Sequence, residues 1–155
     1  MFVFNFNLSK RKIMLFSVFS ITLAIVCILS MLSIQENLPH TATCDELGEY
    51  SLLAKNREEQ CDFLKKLNIE AVENTAQIQE VIIPSEFNAT YEQYNKLQSR
   101  LGLDLNKYKG KKAQKITYRL KNSDVDFAVI LIYKDRIIGG HLTNGEYGQE
   151  YLPLI

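Results

Sequence analysis

The sequence predicts an α+β protein: a single N-terminal transmembrane helix, then a small domain of two helices packed on an antiparallel sheet that ends in a β-meander. Three observations carry this expectation. Residues 13–34 are uncharged and hold neither Pro nor Gly. Two later stretches, within 47–67 and 86–101, place apolar residues at helical spacing. Residues 115–143 alternate or run apolar between turn-forming clusters, as the strands of a meander do.

Residues 1–12 form a cytoplasmic leader. Phe2, Phe4 and Phe6 alternate with Val3, Asn5 and Asn7, which suits either a headgroup-level segment or an irregular one. Lys10, Arg11 and Lys12 directly precede the apolar run, whereas its far side opens with Gln35, Glu36 and Asn37, and the next basic residue is Lys55. The positive-inside rule then leaves the N-terminus in the cytoplasm and residues 35–155 outside. As a helix rising about 1.5 Å per residue, the 22 residues 13–34 cover roughly 33 Å, enough for a hydrocarbon core about 30 Å thick. The alternative is a cleaved signal peptide, whose apolar region is about 7–15 residues long with a small-x-small site just after it. The nearest such triplet, Thr41-Ala42-Thr43, stands well past the run. A retained signal-anchor of a single-pass cell-membrane protein is the expectation.

Residues 35–55 are expected to be a tether and the start of the first helix, and residues 56–155 the extracytoplasmic domain. Pro39 and weak periodicity mark 35–47 as tether. A helix is expected from about Leu47 to Leu67, with Asn56 and Glu59 as a capping-box pair at which it can restart, and with Phe63, Leu64 and Leu67 facing inward. Ile69–Val72 and Gln77–Ile83 read as short strands, the second stopped by Pro84. Ser85 is the expected N-cap of the next helix, along which Phe87, Tyr91, Tyr94, Leu97 and Leu101 form one apolar face and Gly102 supplies the stop. Ile116, Tyr118 and Leu120 alternate with polar neighbours, Asn122-Ser123-Asp124 turns, and Val125–Tyr133 is apolar enough for a central strand. Lys134-Asp135-Arg136 turns again into Ile137–Thr143, where Gly139-Gly140 suggests a bulge or a close backbone approach.

Ordered motifs within this frame resemble a known family. The segment Arg57–Val72 is a helix ending in Phe63-Leu64, followed by a short strand; after it come Val81-Ile-Ile-Pro-Ser-Glu-Phe87, then Tyr91, Tyr94-Asn95 and Leu97-Gln98. Gly102-Leu-Asp-Leu105, Tyr108-Lys-Gly-Lys111, and Tyr133 through Arg136-Ile-Ile-Gly-Gly140 complete the series. Together, over about residues 56–142, they are similar to the bacterial domain of unknown function numbered 4830. The chain departs from the family pattern at Asn68-Ile69, where Gly-Trp is frequent, and in its last segment. The resemblance implies a membrane-anchored or exported protein of Gram-positive bacteria. It implies no activity and no functional residues.

Catalytic chemistry finds little material. His40 and His141 lie too far apart in sequence to form a metal motif, and His141 reads as a surface residue or a satisfied strand residue. There is no Gly-x-Ser-x-Gly elbow, and Gly139-Gly140 lacks the spacing and the following helix of a phosphate loop. The expectation is therefore a non-enzyme without cofactor or metal, and the absence of a net basic excess argues against nucleic acid as a partner. Cys44 and Cys61 both fall outside the membrane on this topology. An oxidising exterior permits a disulfide between them, the alternative being two thiols.

Charge is the one feature that points to a partner. The formal net charge is zero, yet residues 36–92 hold 12 acidic and 4 basic side chains, and residues 93–155 hold 11 basic and 6 acidic. Between 96 and 121 the cations are dense, and Lys107, Lys109, Lys111, Lys112, Lys115 and Arg119 are the expected anion-facing patch. Its partner would be an anionic wall polymer, lipid headgroups or an acidic protein face; alternatively the acidic half folds against it and neutralises it. The leading expectation is a non-catalytic extracytoplasmic binding or regulatory domain. The alternative is an anchored hydrolase or inhibitor with an unrecognised site. A structural subunit that assembles through its anchor ranks third, because small-residue spacing in the helix is limited to Ser20 and Ala24.

Overall fold

The structure, a computed structural model, describes residues 10–32, 37–121, 123–146, 148 and 150–155. The leader residues 1–9, the end of the apolar run with its flank at 33–36, and Asn122 of the expected turn lie outside the described residues. The chain divides into two compact units, Met1–Asn37 and Leu38–Ile155.

The first unit carries helix α1, Lys10–Leu32. Two of its hydroxyls bond one turn back, Ser17 Oγ to the Met14 carbonyl at 2.8 Å and Thr22 Oγ1 to the Phe19 carbonyl at 2.9 Å, which removes their polar cost in an apolar helix. The described side chains from Met14 to Leu29 are exposed all round. Among the described residues no helix is long and apolar enough to cross a membrane. The fold therefore establishes an α+β chain with antiparallel sheets, but not the spanning role expected of residues 13–34.

Residues 41–51, expected as tether and helix, form a β-hairpin: β1 (Thr41–Cys44) pairs antiparallel with β2 (Gly48–Ser51). Packing decides this, since Cys44, Tyr50 and Leu52 are buried in the core shared with the next helix. Helix α2 then starts at Arg57 rather than near Leu47, and runs to Lys66. The Asn56 side chain accepts the Glu59 N–H at 2.9 Å, while the Glu59 carboxylate accepts the Lys55 N–H at 2.6 Å, a capping box displaced by one residue. Phe63, Leu64 and Leu67 are buried as expected.

The strand expected at Ile69–Val72 shrinks to a single bridge between Ala71 and Leu120. β3 (Gln77–Ile82) forms where expected. Helix α3 spans Ala89–Ser99, and its N-cap is Asn88, not Ser85: the Asn88 side chain accepts the Tyr91 N–H at 2.9 Å. Phe87 lies on Tyr91 with ring centroids 4.6 Å apart, a staple-like contact that fixes the later start. After Gly102 the chain makes a 3-10 turn, Leu105–Tyr108.

β4 (Lys112–Arg119), β5 (Phe127–Tyr133) and β6 (Arg136–Thr143) complete a fully antiparallel sheet of order β3-β4-β5-β6. The turn between β5 and β6 uses Lys134 and Asp135, both at positive φ (45° and 61°), the two-residue geometry that suits strand twist. Alternate residues feed two cores. Ile116, Tyr118, Ile130 and Ile137 meet α2 and the hairpin, whereas Ala113, Leu131, Tyr133 and Ile138 meet Ile83, Leu105, Tyr108 and the aromatic face of α3. The Tyr118 hydroxyl donates to Gln60 Oε1 of α2 at 2.6 Å, so the buried tyrosine and the buried glutamine satisfy each other.

The expected bulge is present. Leu131 pairs with Gly139 but Ile132 with Ile137, leaving Ile138 as the extra residue. The close approach is present as well, because a Cβ on Gly140 would lie 2.6 Å from the Val129 carbonyl oxygen. The outer edge of β6 is covered along its length. The Ile137 N–H donates to the Leu52 carbonyl at 2.8 Å, the Gly140 N–H to Gln98 Oε1 at 2.7 Å, and the Leu142 N–H to the Leu152 carbonyl at 2.9 Å. Gln98 is fully buried and also donates through Nε2 to the Tyr94 carbonyl at 3.2 Å. Replacing Gln98 with leucine strands the Gly140 N–H inside the protein. The expected cost is about 1–3 kcal/mol, read from the urea unfolding midpoint of the full chain. An unchanged midpoint would show that this bond adds nothing.

Candidate functional site

The structure splits the patch expected from sequence. β4 climbs about 23 Å from Lys112 to Arg119 at the usual strand rise, so the two stand at opposite ends of the sheet. Lys115 sits half-buried midway, on the face that carries His141. Lys107 lies exposed on the 3-10 turn. Lys109, Lys111 and Lys112 remain together where the chain leaves that turn and enters β4.

A fourth lysine joins these three. The β5–β6 turn places Lys134 beside the start of β4, because the end of β5 pairs there: Gln114 lies opposite Ile132. Two aromatic rings organise the cluster. Lys109 Nζ lies 4.3 Å from the Phe87 ring centroid, and Lys111 and Lys134 reach the Tyr133 ring at 6.0 and 5.4 Å. Lys112 Nζ is 3.1 Å from a Glu80 oxygen, both side chains being well exposed, so this pair is worth little in stability but holds the ammonium at the sheet end. A cavity of about 250 Å³ opens among Glu80, Lys112, Tyr133, Lys134 and Asp135. Ile82, opposite Lys112 in the register, is 64% exposed beside it. Flexible ammonium groups around an open, shallow cavity attract extended anions as point charges. Sequence reasoning missed Lys134 because it lies outside the 96–121 run. The signal was available in the predicted meander, in which the turn after β5 must return to the level at which β4 begins.

His141 forms the second cluster. It is 6% exposed, with Nδ1 2.8 Å from the Tyr94 hydroxyl and its ring 4.0 Å, centroid to centroid, from that of Tyr151. Burial, and secondarily the Lys115 ammonium, pushes its pKa down to about 4, so the imidazole is neutral near pH 7. Burial also drives the Tyr94 hydroxyl upward, with Tyr91 and Tyr151 adding to it. A neutral imidazole engaged with a neutral phenol, among rings and one lysine, is a packed polar core element. This matches the satisfied strand histidine expected from sequence. Among the described residues no group of three or more His, Cys, Asp or Glu side chains is placed to hold a metal ion.

Cys44 ends β1 and Cys61 lies in α2; both are buried in one core cluster as thiols, with no disulfide between them. A second cavity, also about 250 Å³, is lined by Tyr50, Leu53, Glu59, Asp62 and Lys66, a mixed surface without a concentration of one charge.

Residues 63–142 match the family described as a domain of unknown function, DUF4830. Comparison with curated proteins and with solved structures gives no match.

Proposed function

The chain belongs to the DUF4830 family, whose domain occupies residues 63–142, and on that premise we propose that it is a single-pass membrane protein of the cell surface. In this reading the N-terminus is cytoplasmic, and residues 38–155 form a non-catalytic extracytoplasmic domain that binds an anionic surface or partner through its lysine-rich sheet end. One observation carries the binding role: Lys109, Lys111, Lys112 and Lys134 converge at that end around Phe87 and Tyr133. Each lysine near an anionic surface contributes about 1 kcal/mol, so the four give attraction that is useful only collectively and that salt weakens.

The anchor rests on the sequence of residues 13–34, an uncharged run flanked by Lys10, Arg11 and Lys12 on one side only. Exposed Met14, Leu15, Phe16, Phe19, Ile21 and Leu23 give α1 an apolar surface that suits a lipid environment. The hydrolase alternative draws no support from His141, whose surroundings are Tyr94, Tyr151 and Lys115.

The test holds the full chain in phosphatidylcholine nanodiscs and measures its capture of separate vesicles. Vesicles containing phosphatidylglycerol are expected to bind at low salt and to release at high salt, and pure phosphatidylcholine vesicles are expected not to bind. Replacing the four lysines with glutamate should abolish capture. Equal capture of both vesicle types at both salt concentrations would sink the binding role.

A further inference from the structure

The chain enters its folded domain at the lysine-rich end. Leu38, the first residue of the second unit, packs against the core cluster that contains Ile83, Tyr108, Ala113 and Tyr133. These residues lie directly beneath the lysines: the Ile83 N–H donates to the Lys111 carbonyl at 2.9 Å, and its carbonyl accepts the Gly110 N–H at 2.9 Å. Two residues on, His40 Nδ1 is 3.0 Å from an Arg136 guanidinium nitrogen, and Arg136 immediately follows the Lys134-Asp135 turn. The His40 carbonyl is tied to the Leu52 N–H at 2.8 Å, which fixes this starting point to the sheet.

Covalent length then sets a limit. Helix α1 ends at Leu32 and the domain begins at Leu38. Six residue steps span at most about 22 Å when fully extended. Whatever surface holds α1 therefore lies within that reach of the point where the chain enters the lysine-rich end. We infer that this end is held against the anionic headgroups of the same bilayer that anchors α1, so that the lysines dock the domain on its own membrane rather than on a distant partner. The inference rests on the anchor proposed above and adds the identity of the surface and the orientation of the domain.

The composition of this end suits a headgroup layer. Lys109, Lys111, Lys112, Lys134 and Arg136 supply the positive charge, against Glu80, which pairs with Lys112, Asp135 in the turn and Glu86 next to Phe87. Exposed Ile82 adds an apolar contact among them, the combination that interfacial segments use. The opposite end, one strand length away, carries Asp124, Asp126 and Glu146 together with Arg119 and Lys121. Among the described residues it has no comparable excess of cations. The domain thus presents unlike ends to an anionic surface, and the end nearest the chain's point of arrival is the attractive one. A soluble wall polymer would be recognised by the same ammonium groups, but the short covalent reach favours the lipid source.

The experiment uses the full chain in nanodiscs with a fluorophore on an encoded azido residue, at Asp135 in one sample and at Asp124 in another. Energy transfer to a headgroup-attached acceptor reports which end lies near the lipid. In discs containing phosphatidylglycerol, transfer from position 135 is expected to exceed that from 124 severalfold. The excess should fall in pure phosphatidylcholine and at high salt. The double variant Lys111→Glu/Lys134→Glu should lower the ratio of docked to undocked domain by roughly tenfold or more. The variant Lys111→Arg/Lys134→Arg keeps the charge and should retain docking, which separates lost attraction from a damaged fold.

Equal transfer from the two positions, or a 135 excess indifferent to lipid charge, overturns the inference while leaving the anchor intact. Displacement of the docked state by added polyglycerol phosphate at a concentration that leaves bulk screening unchanged assigns the end to wall polymer, and also overturns it. Alkaline carbonate extraction of the chain from vesicles, read by flotation, reports on the anchor separately. A chain that washes off removes the premise and the inference with it.

Discussion

Replacing Gly102 with alanine is expected to destabilise the domain by about 3 kcal/mol or more, whereas the same replacement at Gly110 costs about 1–2 kcal/mol. The two glycines share the left-handed backbone, with φ of 70° and 72°. The conformational penalty for a side chain is therefore common to both and cancels in the comparison. Their surroundings differ. A Cβ at Gly102 runs into the carbonyl group of Thr43, whereas a Cβ at Gly110 meets nothing within 4 Å. Thr43 cannot swing aside, because it lies in the middle of β1 and pairs with Glu49 of β2. The hairpin that the sequence concealed is thus what makes Gly102 irreplaceable. Urea unfolding of both full-chain variants checks this, and similar midpoints for the two would show that the contact with β1 yields.

Acidification from pH 6.5 to 4 is expected to remove up to roughly 3 kcal/mol of stability through His141 alone. In the unfolded chain the imidazole takes its proton near its ordinary value of 6.5, whereas in the folded domain it resists until about 4. Between those values the unfolded state binds more protons, so acid favours unfolding. The contribution is fully present above pH 6.5, declines as pH falls, and changes no further below 4, where both states are charged. Desolvation is the main cause and the Lys115 ammonium the second; Tyr94 and Tyr151 are the other groups against the ring. Asp104 adds acid sensitivity lower on the scale, since a hydrogen bond from the Asn95 amide holds its carboxyl below 3.8. The His141 share is therefore read as a difference against His141→Gln. That variant should start less stable near pH 7 and run flatter between the two pKa values. A slope as steep as that of the parent would remove His141 from the account.

Legibility in the sequence followed the range of the forces involved. The capping pair Asn56 and Glu59, the stop at Gly102 and the order of the meander all rest on neighbours within a few residues, and each stands where periodicity and turn chemistry placed it, while the bulge falls at Ile138, beside Gly139-Gly140. The errors fall where distant partners decide. Thr41–Ser51 has little strand character by itself and becomes a hairpin because Tyr50 and Leu52 find α2 and β6. Ser85 is a good capping residue, but the packing of Phe87 on Tyr91 gives the cap to Asn88. The cations of 96–121 are dense along the chain but do not form one patch, because β4 separates Lys112 from Arg119 by the full length of the strand.

By itself the sequence determined the α+β class, the family, the order of the meander and an uncharged N-terminal run, since these follow from local periodicity, turn residues and ordered motifs. Only the tertiary structure decided which lysines stand together, how the β6 edge is closed by Gln98 and the hairpin, and that His141 is enclosed. Each of these depends on side chains brought together by sheet register and by packing across two cores, and no spacing along the chain encodes which distant residues will share one end of a sheet.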